Sequence, residues 1–438
     1  MPSTFDAIVV GAGPAGSSAA ILLARAGWSV AVIEKHSFPR RKVCGECVAA
    51  SNLPLLEALG VGRALDLGGG PVLRQLALLR GYQAVQADLP CAPHKKFPWG
   101  LAIGRETLDT VLLDQARQDG VHIFQPWVLQ DVLGAAGNWR CEIRTANAGD
   151  RMSLSAPVLI DAHGSWEKLH STQSGPRRPN KGSDLLAFKA NFRDSGHLQD
   201  QISVLAFQGG YGGMVVDGRG LCTVACCIRR DRLEECRSLL IGRSAGEVVE
   251  IMLNQQCAGV RSALRGASRV GGWLSAGPLD PGVRLRPDDA IYRIGNAAGE
   301  AHPIIGEGMS MALQSAWLLC LQLLGGGQQL NLSDADWQRR VGVAYERQWR
   351  RHFVARLRIA ATFAHFAMRP LAAPGLIAAA RIWPGLLTIG AGFSGKARSV
   401  ADPALLARLA HAHGPLRASA AIASHPLAPF ENFNQEPA

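Results

Sequence analysis

A chain of 438 residues, 47 % apolar and 18 % charged, has the material for two or three packed domains with sizeable cores, which excludes a disordered or fibrous protein. The net charge of +11 is scattered rather than blocked and no base-reading motif accompanies it, which argues against a nucleic-acid partner. No basic segment precedes the first apolar run and no stretch of about 18 apolar residues is uninterrupted, so no signal peptide and no membrane span are predicted. The ten cysteines then read as thiols of a cytoplasmic protein rather than a disulfide framework.

Ala7 to Val10 is a short apolar run that predicts a buried strand. Gly11-Ala12-Gly13-Pro14-Ala15-Gly16 follows as GxGxxG. A helix is predicted over Ser17 to Arg25, ended by Gly27, and a second strand over Trp28 to Ile33, stopping at Glu34. Gly11 permits the tight turn, Gly13 lets the backbone approach a pyrophosphate, and Gly16 lets helix and strand pack closely. The helix N-terminus, with Pro14 and Ala15 in its first turn, offers unpaired N–H groups to phosphate. Glu34, about 20 residues on, suits the ribose hydroxyls, with Lys35 beside it. This order of elements defines a dinucleotide site.

The next segment, Arg40-Arg41-Lys42-Val43-Cys44-Gly45-Glu46-Cys47, contains CxxC. A zinc site would need a second ligand pair at the right spacing, and none exists, so no metal is expected. A redox disulfide would need its own βαβ setting. A loop reaching toward something bound elsewhere, or an ordinary turn, remains. A helix is predicted after Gly104, with Arg105 at its start. Val128, in the strand that follows, is a candidate backbone contact to adenine. "VLIDAHGSW" ends another strand at Asp161-Ala162-His163-Gly164.

Ser183 to Arg230 alternates apolar and polar residues, predicting several antiparallel strands. Phe188, Phe207, Tyr211 and Trp273 are the candidates for lining a substrate pocket there. Ile291 to Ile294 reads as a strand, followed by the small-residue turn Gly295-Asn296-Ala297-Ala298-Gly299. Gly306 and Gly308 flank Glu307, and a helix starts near Met309. Arg-rich residues 345–368 form an amphipathic helix whose apolar line is Trp349, Phe353, Leu357, Ala360 and Phe363 or Ala364. It either docks on the body or presents a basic, greasy surface to a membrane or a protein partner. The last 25 or so residues read as a loose, Pro-rich tail.

With GxGxxG at the start, Arg105 opening an Arg-x-x-Leu-Asp-x-x-Leu helix and Gly295-Asn296-Ala297-Ala298 ahead of His302-Pro303 and Gly306-x-Gly308, the chain resembles the p-hydroxybenzoate-hydroxylase-type FAD enzymes. Within them it looks most like the branch of geranylgeranyl reductases and flavin-dependent halogenases. The resemblance implies an α/β protein: a Rossmann-type FAD-binding domain, an inserted antiparallel β-sheet domain for substrate, and a C-terminal helical region. The FAD-binding domain is expected over 1–70, 100–165 and 270–325, the sheet domain over 71–99 and 166–269, and the helical region with its tail over 326–438.

The resemblance also implies FAD, NAD(P)H as electron donor, Arg105 facing the FAD phosphates or flavin loop, and a loop at Lys42, Cys44, Gly45 and Glu46 beside the flavin ring, with Arg40 or Arg41 neutralising phosphate. Glu46 would position water or substrate there, and His302 would assist proton transfer. Met309 would begin a helix aimed at the flavin's pyrimidine edge. Three departures stand out. Asn296 replaces the usual Asp, His163 stands at an Asp position tied to nicotinamide use, and Tyr211-Gly212-Gly213-Met214 lacks the Trp and Pro of the reductase motif. The halogenase Trp-x-Trp-x-Ile-Pro motif is absent. The expected function is a monooxygenase acting through a flavin C4a-hydroperoxide on an aromatic or lipophilic small molecule, or on a carrier- or peptide-bound residue such as a tryptophan of a quinone-cofactor precursor. The alternatives are a reductase or desaturase of a prenyl- or polyketide-like chain, and a non-catalytic FAD protein.

Overall fold

Ala7–Val10 has no polar face, and it becomes the middle strand of a five-stranded parallel sheet buried on both sides. Val30–Ile33 and then His122–Phe124 lie to one side, Val158–Asp161 and then Tyr292–Arg293 to the other. The computed structural model describes residues 3–68, 70–146, 149–165, 169, 179–286, 290–325, 331–369, 373–393, 400–402 and 404–406. The expected loose tail lies outside them.

Helices Pro14–Arg25, Arg105–Gln118 and Gly308–Leu324 pack on one face of the parallel sheet and form the largest core. The first starts at Pro14 rather than Ser17, because proline's fixed φ and missing N–H suit a first turn. A three-stranded antiparallel sheet within residues 127–156 covers the other face through Trp139, Cys141, Ile143 and Leu154.

The second sheet has seven strands in the order Ser268–Ala276, Leu185–Arg193, Cys222–Arg229, Gly210–Val216, Gln201–Phe207, Gln75–Arg80, Gln83–Asp88. It is antiparallel except where Gln201–Phe207 runs parallel to Gln75–Arg80. Residues 270–276, expected with the FAD-binding segments, pair with Leu185–Arg193 in this sheet instead. One face packs on helices Arg230–Leu239, Ala245–Gln256 and Ala258–Ala263.

Ala335–Met368 is a single 34-residue helix, capped by the Asp334 side chain. Its buried line is Val341, Tyr345, Trp349, Phe353, Leu357, Ala360 and Ala364; Phe363 lies off it, half-buried. The line spans both sheets: the Tyr345 hydroxyl donates to the Arg293 carbonyl at 2.8 Å, and Ala364 packs in the cluster that holds Tyr211. Among the described residues no single helix is long and apolar enough to cross a membrane.

Candidate active site

The first glycine cluster makes an opening that only small residues leave clear. Gly11 has φ +103°, and a Cβ on Gly16 would sit 1.8 Å from the Gly11 carbonyl oxygen. A Cβ on Gly13 would meet only the Arg105 guanidinium, at 3.6 Å, so this backbone edge is open and faces a cation. Glu34 is buried across the turn. One of its oxygens accepts from the Ala12 N–H and the other from the His36 N–H, both at 2.9 Å.

Three cations surround this edge. Arg105 pairs through Nε and Nη2 with Asp109 one turn on, at 2.6 and 2.7 Å. Burial opposes its charge, but Asp109 outweighs that and holds its pKa above the ordinary value. Arg40 lies 3.4 Å from Glu34 and 3.8 Å from Asp109, with its guanidinium over Phe38. Lys42 reaches toward Gly164; desolvation first, then Arg105 and Arg40, push its pKa down to about 8. Lys35 is lowered too, mainly by desolvation. Val128 follows Trp127, whose N–H donates to the Glu34 carbonyl at 2.8 Å, which sets this strand beside Glu34. A helix N-terminus, an open glycine edge and clustered cations fit a dinucleotide pyrophosphate. Arg41, expected among them, points elsewhere: its Nη2 donates to Asn191 Oδ1 in the seven-stranded sheet at 3.1 Å, and Arg40 takes the cradle position.

Lys42 carries a pH prediction. A bound pyrophosphate favours its charged form, so FAD uptake draws in a proton once the free site has lost it. Affinity therefore falls as pH rises through about 8, and the slope disappears in Lys42→Met. Titrations between about pH 7 and 9 check this.

The second segment packs against the first, where a Cβ on Gly295 would meet the Ala15 Cβ at 3.0 Å. Gly295, at φ +59°, donates its N–H to Ser315 Oγ at 2.7 Å. Asn296 Nδ2 donates to Ser165 Oγ, which donates to Glu300 Oε1, both at 2.8 Å; Arg284 holds Glu300 Oε2 at 2.7 Å. An amide suits position 296 because it can donate into this chain, which ends on the Glu300 carboxylate. Gly306 is left-handed, and Gly308 opens the helix with clear space at its Cβ position. Met309 is buried behind it, and Glu307 lies 3.4 Å from Arg356 of the long helix.

Where the two sheets' domains meet, the contacts are polar. Glu46, at φ +55°, is buried and accepts from the Arg105 N–H at 3.0 Å, from Lys189 Nζ at 2.5 Å and from Thr223 Oγ1 at 2.5 Å. Asn191 extends the network, donating to Thr223 Oγ1 at 2.7 Å and accepting from Arg41. Glu46 was expected to position water or substrate; both its oxygens instead bind protein groups that hold the loop to the sheet. Gly45 beside it is exposed, with open space at its Cβ position. Cys44 Sγ accepts from the Glu46 N–H at 3.4 Å, and no disulfide joins it to Cys47.

Tyr211 and His302 meet across the same interface, with hydroxyl to Nδ1 at 3.1 Å. Burial raises the Tyr211 pKa and lowers that of His302, so both are neutral near pH 7. The Tyr211 hydroxyl also bonds Cys227, a thiol that burial holds protonated with a pKa of about 12. Phe188 and Phe207, expected beside them, lie on the opposite face of the sheet with Val248 and Met252. Trp273 packs against Phe192 and donates to Glu250 at 2.8 Å. Strand alternation puts Phe188, Ala190 and Phe192 on the helix side, and Lys189 and Asn191 on the flavin side. That polar–apolar alternation in a buried strand was the available signal for Lys189, Asn191 and Thr223, which sequence reasoning missed.

Residues 4–220 match the family model described as FAD binding domain. The fold is that of the p-hydroxybenzoate-hydroxylase type of FAD-dependent oxidoreductase. The chain is 34 % identical over 169 residues to tryptophan 2-halogenase of Chondromyces crocatus, covering 37 % of this chain and only 31 % of that relative. It is 26 % identical over 337 residues to menaquinone reductase of Mycolicibacterium smegmatis, covering 75 % and 78 % of the two chains. Among solved structures, the myxobacterial chondrochloren halogenase CndH overlays with a TM-score of 0.69 at 20 % identity, covering 96 % of each chain, which shows the shared fold.

Proposed function

We propose that this chain is a FAD-dependent monooxygenase acting on an aromatic or lipophilic substrate, with NAD(P)H as electron donor. The observation that carries this reading is the Tyr211–His302 pair at the flavin-side face of the sheet. When the Tyr211 hydroxyl donates to Nδ1, the His302 proton sits on Nε2, and the imidazole donates to whatever lies beside it. When the hydroxyl turns to Cys227, Nδ1 carries the proton and Nε2 accepts. Both arrangements are neutral, so Nε2 can present either a donor or an acceptor to a group beside it; a proton taken up there makes an imidazolium, balanced by the negative charge left on the group that gave the proton.

When bound, FAD supplies the redox chemistry and the activation of oxygen. Arg40, Lys42 and Arg105 would hold its phosphates. The helix opening at Gly308 offers N–H groups and a positive dipole end to the negative charge of a reduced ring. Glu46 with Lys189 seals the loop against the sheet and keeps water out.

The test is anaerobic photoreduction of the FAD-loaded chain followed by mixing with O₂. An absorbing transient, distinct from oxidised and reduced flavin, supports oxygenation. Direct return to oxidised flavin, together with saturation of a prenyl-like chain or quinone without O₂, supports the second reading, a reductase. That reading is favoured by the similarity to menaquinone reductase over three quarters of this chain.

A further inference from the structure

The outer face of the long helix Ala335–Met368 and the helix pair after it are not used by the site. Arg340, Arg347, Arg351, Arg358 and Arg369 are all exposed, at spacings of seven, four, seven and eleven residues. Those spacings place them on one stripe, opposite the buried Trp349–Phe353 line. The helix is about 51 Å long at 1.5 Å per residue, so the stripe is a ridge rather than a patch.

At its C-terminal end the ridge meets helices Ala373–Ile382 and Gly385–Phe393, which bend by 113° at Trp383-Pro384. Arg381 is the only charged residue from 373 to 393. The inner sides of the pair are anchored, Ile377 and Ala380 in the cluster of Tyr211, and Thr388 Oγ1 to the Asp88 carbonyl. The outer side leaves Ile382, Trp383, Leu386, Ile389 and Phe393 exposed, Ile382 to 87 % and Trp383 to 54 %, and Phe366 near the end of the long helix is exposed too. A large apolar surface of this kind marks a contact site.

We propose that this end of the molecule docks on an anionic lipid bilayer, with the bend at Ile382-Trp383 inserted among the headgroups and the arginine ridge lying along them. Two observations select a bilayer over an acidic polypeptide. The apolar residues crown a bend between two helices, a shape that enters a lipid interface. They also include tryptophan flanked by arginine, the pairing that suits the headgroup level. The ridge supplies charge complementary to anionic lipid. Docking does not depend on which redox reaction the flavin site performs.

Flotation of the full-length, FAD-loaded chain with phosphatidylglycerol-containing vesicles and with pure phosphatidylcholine vesicles tests the proposal. The chain floats with the former and much less with the latter, and high salt weakens the association. Ile382→Ser with Trp383→Ser reduces the bound fraction at least about tenfold, because it removes apolar area that would leave water. Arg347→Gln with Arg351→Gln reduces binding and flattens its salt dependence. All four positions are exposed, and an unchanged melting curve and FAD uptake show that each variant is folded; Trp383→Gln alone serves if the double variant is not. No flotation with anionic vesicles overturns the proposal. So does equal flotation of the folded Ile382/Trp383 variant, or retention on poly-glutamate by a chain that ignores both vesicles, which would assign the face to an acidic polypeptide.

Discussion

Lys189→Met lowers the stability of the chain by about 3–5 kcal/mol, because it strands a carboxylate in the interior. Lys189 and Glu46 are each 1 % exposed. Without the ammonium, Glu46 keeps only the Arg105 N–H and the Thr223 hydroxyl. Those bonds stabilise the charge but do not cancel it. The double variant Lys189→Met with Glu46→Gln leaves no net charge behind and recovers at least half of the loss, since a neutral amide can keep a bond from Thr223. Urea unfolding of the wild type, both single variants and the double variant measures the coupling. A single-variant cost under about 1 kcal/mol would mean that the pair behaves like an exposed surface bridge and that the interface is open in solution.

His302→Gln slows the oxygen-dependent half of the reaction by about 10²-fold while leaving FAD uptake intact. The side chain lies between the Gly295 turn and Gly306, with the Tyr211 hydroxyl 3.1 Å from Nδ1. Glutamine can keep one hydrogen bond to Tyr211 but cannot exchange a proton. The pH dependence is set by burial, which lowers the His302 pKa below its ordinary value. The working form is neutral, so the rate is level above that value and falls as acid protonates the imidazole. The acid limb therefore lies below about pH 6.5, the usual imidazole midpoint. It vanishes in His302→Gln. Stopped-flow reoxidation of photoreduced enzyme across pH measures both effects. A rate unchanged by the substitution would leave His302 a structural partner of Tyr211.

The parallel sheet and its phosphate turn were legible because local chemistry alone imposes them. Four-residue apolar strands, a proline in the first turn and a glycine that tolerates no Cβ at position 16 are readable without any tertiary contact. The second cofactor segment was legible for the same reason, through small residues at 295–299 and the pair Gly306 and Gly308. What could not be read was which face of each central strand meets the flavin domain. Phe188 and Phe207 were assigned by residue type to a pocket, but helices within residues 230–263 cover their side of the sheet and make it a core.

Arg40 and Arg41 show the same limit on a smaller scale. Adjacent arginines in an irregular loop diverge, and only the three-dimensional path sends one to Glu34 and the other to Asn191. Asn296 stood out only as a departure from the family's Asp. Its purpose depends on Ser165 and Glu300, one of them 131 residues away. The long-range network at Glu46 joins residues up to 177 positions apart, and no local pattern announces it.

The central claim is that residues 11–16 and 295–309, brought side by side where Gly295 meets Ala15, hold a single FAD. Reconstitution with FAD, followed by absorbance and by quenching of flavin fluorescence, tests it most directly. The account predicts uptake of about one FAD per chain by the wild type, and none by a Gly13→Asp variant that places a carboxylate on the phosphate edge. A wild-type chain that stays colourless, or a Gly13→Asp chain that takes up FAD as well as the wild type, would contradict it.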